Sequence, residues 1–389
     1  MFAIRLQYIL LLLFGLIVMV DPTNKVFHLK EVAFFAFMLF SVLIRKYAFP
    51  KSILNDVFKI WGCAILSLVM GLTIFGSNLV GAESYLKALL FLILVIPLSP
   101  IKPSVILKAN FYIGLALSVF IAILYFGWTM GIGTIGGYAT QLEETDSTIM
   151  IAWRETLGIQ MLMFFYKTMP FCLFALIYAL RHRYYLTILP IAFAIIIGAT
   201  RTPILMGMAI IGYVFATSNK KLVKYVISVT VTVSLYYLLS MLLTESASNS
   251  GDSIKFDTMT ELLSNSSIVG HGVGCLYKST ARSEFVTNSE MTYFEMIYQY
   301  GWILSIIVIW ILVKPIKTIR SFTKSVDIRD FAFAYLCYLV NAGTNPLLMN
   351  STGMYVIVCA LVIADYCRKN NKINGYSYDS NPPRNLQLR

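Results

Sequence analysis

Long apolar runs follow one another along this chain, cut by short connectors that carry most of its lysine and arginine. A helix needs roughly 20 mostly apolar residues to cross a bilayer. Candidate spans fall at 5–21, 29–46, 58–76, 83–99, 107–128, 158–180, 184–200, 202–218, 224–243, 291–313, 329–346 and 351–367. The pattern predicts an all-α polytopic membrane protein of about twelve transmembrane helices. Arg5 opens the first run, and Asp21-Pro-Thr-Asn24 follows it where a cleavable leader would carry small residues, so the run reads as an uncleaved span. No repeat of fixed period is present.

Composition agrees with the pattern. The chain is 58% hydrophobic and 13% charged, with a mean hydropathy of +0.74. A soluble domain carries about a quarter charged residues. Lys+Arg outnumber Asp+Glu by 31 to 19. That excess fits membrane orientation better than nucleic acid, which is not expected as a partner; lipid is. With the first residues placed in the cytoplasm, the inner connectors hold most of the basic side chains. The others are Lys25, Lys30, Lys87, Arg154, Lys167, Arg201, Lys255, Lys278 and Arg282, and all but Lys167 fall on or near the outer side. Both termini are then cytoplasmic, with residues 1–367 as one transmembrane domain and 368–389 as a polar cytoplasmic tail without fixed structure. The six cysteines show no metal-ligand spacing and no disulfide framework.

Two outer segments break the rhythm. One, 129–157, contains Gly131-Ile-Gly-Thr-Ile-Gly136, which matches GxGxxG but follows a span rather than a strand and is discarded as a nucleotide motif. The other, 244–290, is the one long water-compatible stretch between spans, and ordered loops of that length usually serve function.

Arg201 lies in Gly198-Ala-Thr-Arg-Thr-Pro203 between two spans. It either ends a helix at the interface or is held rigidly at the membrane edge to bind an anion. Guanidinium suits phosphate, since it donates two parallel hydrogen bonds and keeps its charge. Lys255, Arg282 and Arg154 are solvated loop charges or, with Arg201, a positive rim. Lys255 precedes Thr258-Met-Thr-Glu261, a capping-box pattern opening a short helix. Gly270-His-Gly-Val-Gly274 is a turn or a place where backbone approaches a polar ligand, with His271 as a ligand contact. Asn288 or Ser289 would cap the next helix and put Glu290 in its first turn, as a dipole-complementing carboxylate or as a base. Glu295, five residues further, is an acid at membrane depth, with Tyr293 beside it as belt residue or substrate contact.

Three fragments together resemble the bacterial O-antigen polymerase and ligase superfamily. Gly198-Ala-Thr-Arg201-Thr-Pro resembles its glycine/serine–arginine motif. Gly270-His-Gly-Val-Gly274 resembles its Gly-x-Gly loop. Ser289-Glu290 through Tyr300-Gly301-Trp302 resembles the helix after its large periplasmic loop. Ligases of the family carry histidine where Glu290 stands, so the resemblance favours the Wzy-type polymerase.

The resemblance implies a GT-C-like glycosyltransferase architecture in the bacterial inner membrane, without metal or cofactor. Donor and acceptor would be undecaprenyl-pyrophosphate-linked oligosaccharides, and a chain-length regulator protein would be a further partner. Arg201 maps to the first pyrophosphate-binding arginine. Lys255 is nearest the place of the second but is not arginine, and Arg282 is misplaced for it. Catalysis would rest on Glu290 and Arg201, and substrate binding on Lys255, Arg282, Arg154, His271, Tyr293 and Glu295. The rival readings are an O-antigen ligase and a lipid-linked oligosaccharide flippase.

Overall fold

The last helix, Ser351–Tyr378, is the axis of the molecule. Every residue from Ser351 to Asp365 is buried, as expected of a helix that is apolar on all sides. The computed structural model describes residues 2–24, 28–44, 46–144, 148–156, 159–217, 250–279, 284–286, 291–345 and 347–378.

In chain order the helices are α1 (Phe2–Val20), α2 (Lys30–Leu43), α3 (Lys51–Thr73), α4 (Ala82–Leu90), α5 (Val95–Leu98), α6 (Pro103–Thr129), α7 (Gly133–Glu144), α8 (Cys172–His182), α9 (Tyr185–Ile197), α10 (Arg201–Ala216), α11 (Ser250–Ser264), α12 (Thr292–Phe322), α13 (Val326–Ala342) and α14 (Ser351–Tyr378). The described residues are mostly helical, at 76%. Among the described residues, four helices are long and apolar enough to cross a membrane: Lys51–Thr73, Pro103–Thr129, Thr292–Phe322 and Ser351–Asn371. Several shorter apolar helices accompany them. This is compatible with a multi-pass membrane protein. Helix α14 packs chiefly on α12 and also touches α1, α3, α4, α6 and α13. Pro103 starts α6 at the first helical position, where its missing N–H costs nothing.

Buried carboxylates are paired with basic side chains, two of them between helices and one within α14. Lys314 Nζ lies 2.6 Å from buried Asp56, Arg181 Nε 2.5 Å from buried Asp330, and Arg368 Nη2 2.5 Å from buried Asp365.

Several expectations from the apolar pattern change. Residues 158–180 do not form one span. Strand β2 (Ile159–Tyr166) pairs antiparallel with β1 (Ile149–Thr156), a 3-10 turn follows at Met169–Phe171, and α8 comes next. Lys167, an awkward charge for the middle of a span, sits at the turn after β2, its N–H donating to Thr148 O at 3.0 Å. The segment 129–157 therefore holds α7 and β1 rather than an open loop. A second hairpin joins β3 (Tyr277–Ser279) to β4 (Glu284–Val286). Helix α11 starts at Ser250, so Thr258–Glu261 lies inside it and opens nothing. The run 83–99 is broken into α4, a 3-10 turn and α5. The tail continues α14 to Tyr378. The expected span at 224–243 lies outside the described residues.

Candidate functional site

Arg201 is the first residue of α10. Helix α9 closes at Ile197. The chain reverses through Gly198, through Ala199 at φ 42° and through an extended Thr200. Gly198 packs against the end of the Met169 side chain, which a Cβ there would have to displace from 2.4 Å. Pro203 is buried within the first turn. A helix N-terminus carries partial positive charge. Arg201 adds a full charge to it, against the dipole, so positive potential is concentrated at this corner.

The beginning of α12 is tied to the same corner. Thr344, just past the end of α13, has its hydroxyl 3.2 Å from Thr202 Oγ1. The next residue, Asn345, accepts a 2.9 Å hydrogen bond from Thr292 Oγ1 through its backbone carbonyl. Tyr293 donates to Leu339 O at 2.8 Å, and its ring lies on Gly343, where a Cβ would come within 2.8 Å of it. Asn345 Nδ2 also reaches Asn341 Oδ1 at 3.2 Å. Two helix N-termini, those of α10 and α12, thus flank one polar turn, and such termini are natural anion sites.

Helix α12 is not continuous. Gly301 has φ 76° and ψ 171°, which break it into Thr292–Tyr300 and a longer second part. The chain at 267–274 fills the break. His271 N–H donates to Tyr298 O at 2.9 Å, Gly272 N–H to Gln299 O at 3.0 Å, and Trp302 N–H to Ser267 O at 3.4 Å. Ser67 of α3 adds a 2.8 Å bond to Gln299 O, and Ser305 Oγ caps Met296 O at 2.9 Å. The carbonyls of Met296, Tyr298 and Gln299 at the break are thus satisfied by protein. The three loop glycines each press on backbone: Gly270 on Gln299–Gly301, Gly272 on Gly71, Gly274 on Gly81 and Ala82. Their tight approach is to protein chain rather than to a ligand.

Thr292, Glu295 and Tyr298 follow an i, i+3 row along α12. Glu295, 8% exposed, accepts a 2.8 Å bond from Gln299 Nε2. Beside it the Tyr85 and Tyr300 hydroxyls meet at 2.8 Å. Burial, and secondarily the Glu295 charge, push the Cys275 thiol up to about 12. At the end of the row the His271 ring stacks on Tyr298 at 4.3 Å, and the Phe75 ring lies 4.7 Å from it at a tilt. Burial lowers the imidazole pKa, while the nearby Tyr298 carbonyl opposes that shift.

Of the residues singled out from sequence, Arg201 adjoins Thr202 at the corner and Tyr293 packs on Gly343, next to Thr344, while Glu295 and His271 lie further along the α12 row. Lys255 is on α11, which packs on α12, and Arg154 is on β1 opposite Met161. Arg282 and Glu290 lie outside the described residues. Helix α12 starts at Thr292, and the expected cap residues Asn288 and Ser289 lie outside the described residues as well. Sequence reasoning missed Thr344 and Asn345, whose signal was the small polar run Asn341-Ala-Gly-Thr-Asn-Pro346 at the end of an apolar span, and gave no role to Thr202 within residues 198–203. No protein-family model matches this chain, and no curated protein or solved structure shows significant similarity to it.

Proposed function

We propose that this protein is a membrane glycosyltransferase that joins undecaprenyl-pyrophosphate-linked repeat units at the outer face of the bacterial inner membrane, as an O-antigen-type polymerase does. The observation that carries this reading is the joining of the Arg201 end of α10 to the Thr292 end of α12 through Thr202–Thr344 and Asn345. Two helix N-termini and a guanidinium there would hold the donor's diphosphate.

The acceptor sugar hydroxyl attacks the donor anomeric carbon, and the lipid diphosphate leaves with the bonding electron pair. Diphosphate is already a good leaving group. The protein's work is to position two substrates and stabilise departing charge. Arg201 does the second, and Glu290, whose position lies outside the described residues, would orient the incoming hydroxyl.

A flippase for the same lipid-linked glycan is the second reading. The interruption of α12 beside buried Glu295 favours it, because interrupted helices mark substrate sites in transporters. Surface polysaccharide from a strain lacking the protein, run on a gel, separates the readings. A single repeat on its core supports the polymerase. Intact polymer held on carrier lipid points to a ligase, and no surface glycan points to the flippase.

A further inference from the structure

Resting on the glycosyl-transfer reading above, we propose that Nε2 of His271 takes the proton of the acceptor hydroxyl during transfer. The break in α12 is what prepares this ring. In an unbroken helix Tyr298 O would accept from the N–H of residue 302. Here Trp302 N–H donates to Ser267 O instead, and Tyr298 O is left for His271. His271 Nδ1 lies 3.3 Å from that carbonyl, and its backbone N–H donates to the same oxygen at 2.9 Å. A carbonyl only accepts, so Nδ1 carries the proton and the lone pair is on Nε2.

The ring is also fixed in plane. It is stacked on Tyr298 at an interplanar angle of 13° and lies against Phe75 at a tilt of 41°. Nε2 makes no hydrogen bond among the described residues, and His271 as a whole is partly exposed. Burial favours the neutral ring, the form able to accept a proton. The titratable group against the ring is Tyr298 of α12; Tyr277 of β3, Cys275 of the loop and Glu261 of α11 lie around Tyr298 in turn, and among the described residues no charged side chain acts on the imidazole directly. The end of α3 contributes Phe75 and no charge.

Tyr298 lies six residues beyond Thr292, about 9 Å along the axis of α12 from that residue. In the step itself, the acceptor oxygen bonds to the anomeric carbon as the carbon–diphosphate bond breaks. The electron pair leaves with the diphosphate, and the hydroxyl proton passes to Nε2. Water later takes it up.

The test uses full-length protein in proteoliposomes with a lipid-diphosphate-linked repeat unit. His271→Gln and His271→Asn should lower kcat by about 100-fold or more, leave KM near its wild-type value and remove the acid limb of the kcat–pH profile. His271→Phe keeps the stacking, and its thermal midpoint reports whether the loop still seats. Wild-type rate in either amide variant, or reduced rate with an unaltered acid limb, overturns the proton-accepting role alone. A wild-type protein that transfers no glycan from any lipid-linked donor overturns the glycosyl-transfer reading and this role with it.

Discussion

Gly270 and Gly301 lie backbone against backbone. A Cβ on Gly270 would stand 2.3 Å from the Gly301 nitrogen, and a Cβ on Gly301 would stand 2.5 Å from the Gly270 nitrogen. Both have φ of 76°, a region where a side chain is itself strained. The loop and the broken helix are therefore one unit. Gly301→Ala and Gly270→Ala should each cost about 2 kcal/mol or more, from left-handed strain plus overpacking. A thermal melt of the detergent-solubilised protein checks this, and an unchanged midpoint would refute the interlock.

Cys275 reports the same interlock chemically. Its thiol is 1% exposed and pushed up to about 12, chiefly by burial, so almost no thiolate exists at neutral pH. In a variant whose other cysteines are replaced, Cys275 should resist maleimide for hours at pH 7. Adding Gly301→Ala should unseat the loop and speed labelling at least tenfold. Equal labelling rates with and without that change would mean that the loop is held by something other than the glycine contact.

Most of the helices were legible in the apolar pattern because burial in lipid and burial in protein select the same residues. Helices α1, α2, α3, α6, α9 and α10 fall where that pattern puts them. The hairpin at 149–166 was not legible, since Ile159-Gln-Met-Leu-Met-Phe-Phe-Tyr166 is as apolar as a span and hydrophobicity alone does not choose between strand and helix. Lys167 was the one hint against a span. At the candidate site Arg201 stood out because charge is rare near spans, whereas Thr344 and Asn345 were hidden at the end of an apolar run. The glycines of 270–274 announced close approach, but the partner they approach is set by the break at Gly301, a contact between distant parts of the chain.

The corner at Arg201 makes separate predictions for charge and for support. Arg201→Ala should abolish polymer while the protein still inserts. Arg201→Lys should keep only part of the rate, since an ammonium lacks the planar fork that matches phosphate. Thr344→Val removes the hydroxyl facing Thr202 and should cost about 1 kcal/mol of stability. Its effect on transfer should be smaller than that of Arg201→Ala. In vitro transfer with lipid-linked repeats measures all three, and normal-length polymer from Arg201→Ala would remove the arginine from the mechanism.

Glu295 and Gln299 give a test of what the buried carboxylate is for. Gln299 Nε2 donates to Glu295 Oε1 inside the bundle. Glu295→Ala deletes the acceptor and leaves a buried amide without it, at about 1–3 kcal/mol. Glu295→Gln keeps an acceptor oxygen of the same reach and should melt close to wild type. If transfer also survives in Glu295→Gln, the carboxylate serves to hold α12 in shape. If transfer is lost from a protein that melts normally, the negative charge itself is used.

The lowered pKa of His271 sets the sign of one pH effect. Its ordinary value is 6.5 and burial depresses it in the folded protein. Between 6.5 and the lower folded value, the unfolded chain binds more protons than the folded one, so this group makes stability fall as the pH drops through that window. Above 6.5 the ring is neutral in both states and contributes no slope. Melts of wild type and His271→Gln from pH 7.5 down to 5 should therefore diverge, with wild type losing more stability as acid is added. Parallel curves would show that the ring titrates as it does in the unfolded chain, and the seat against Tyr298 and Phe75 would then exert no pull on its proton.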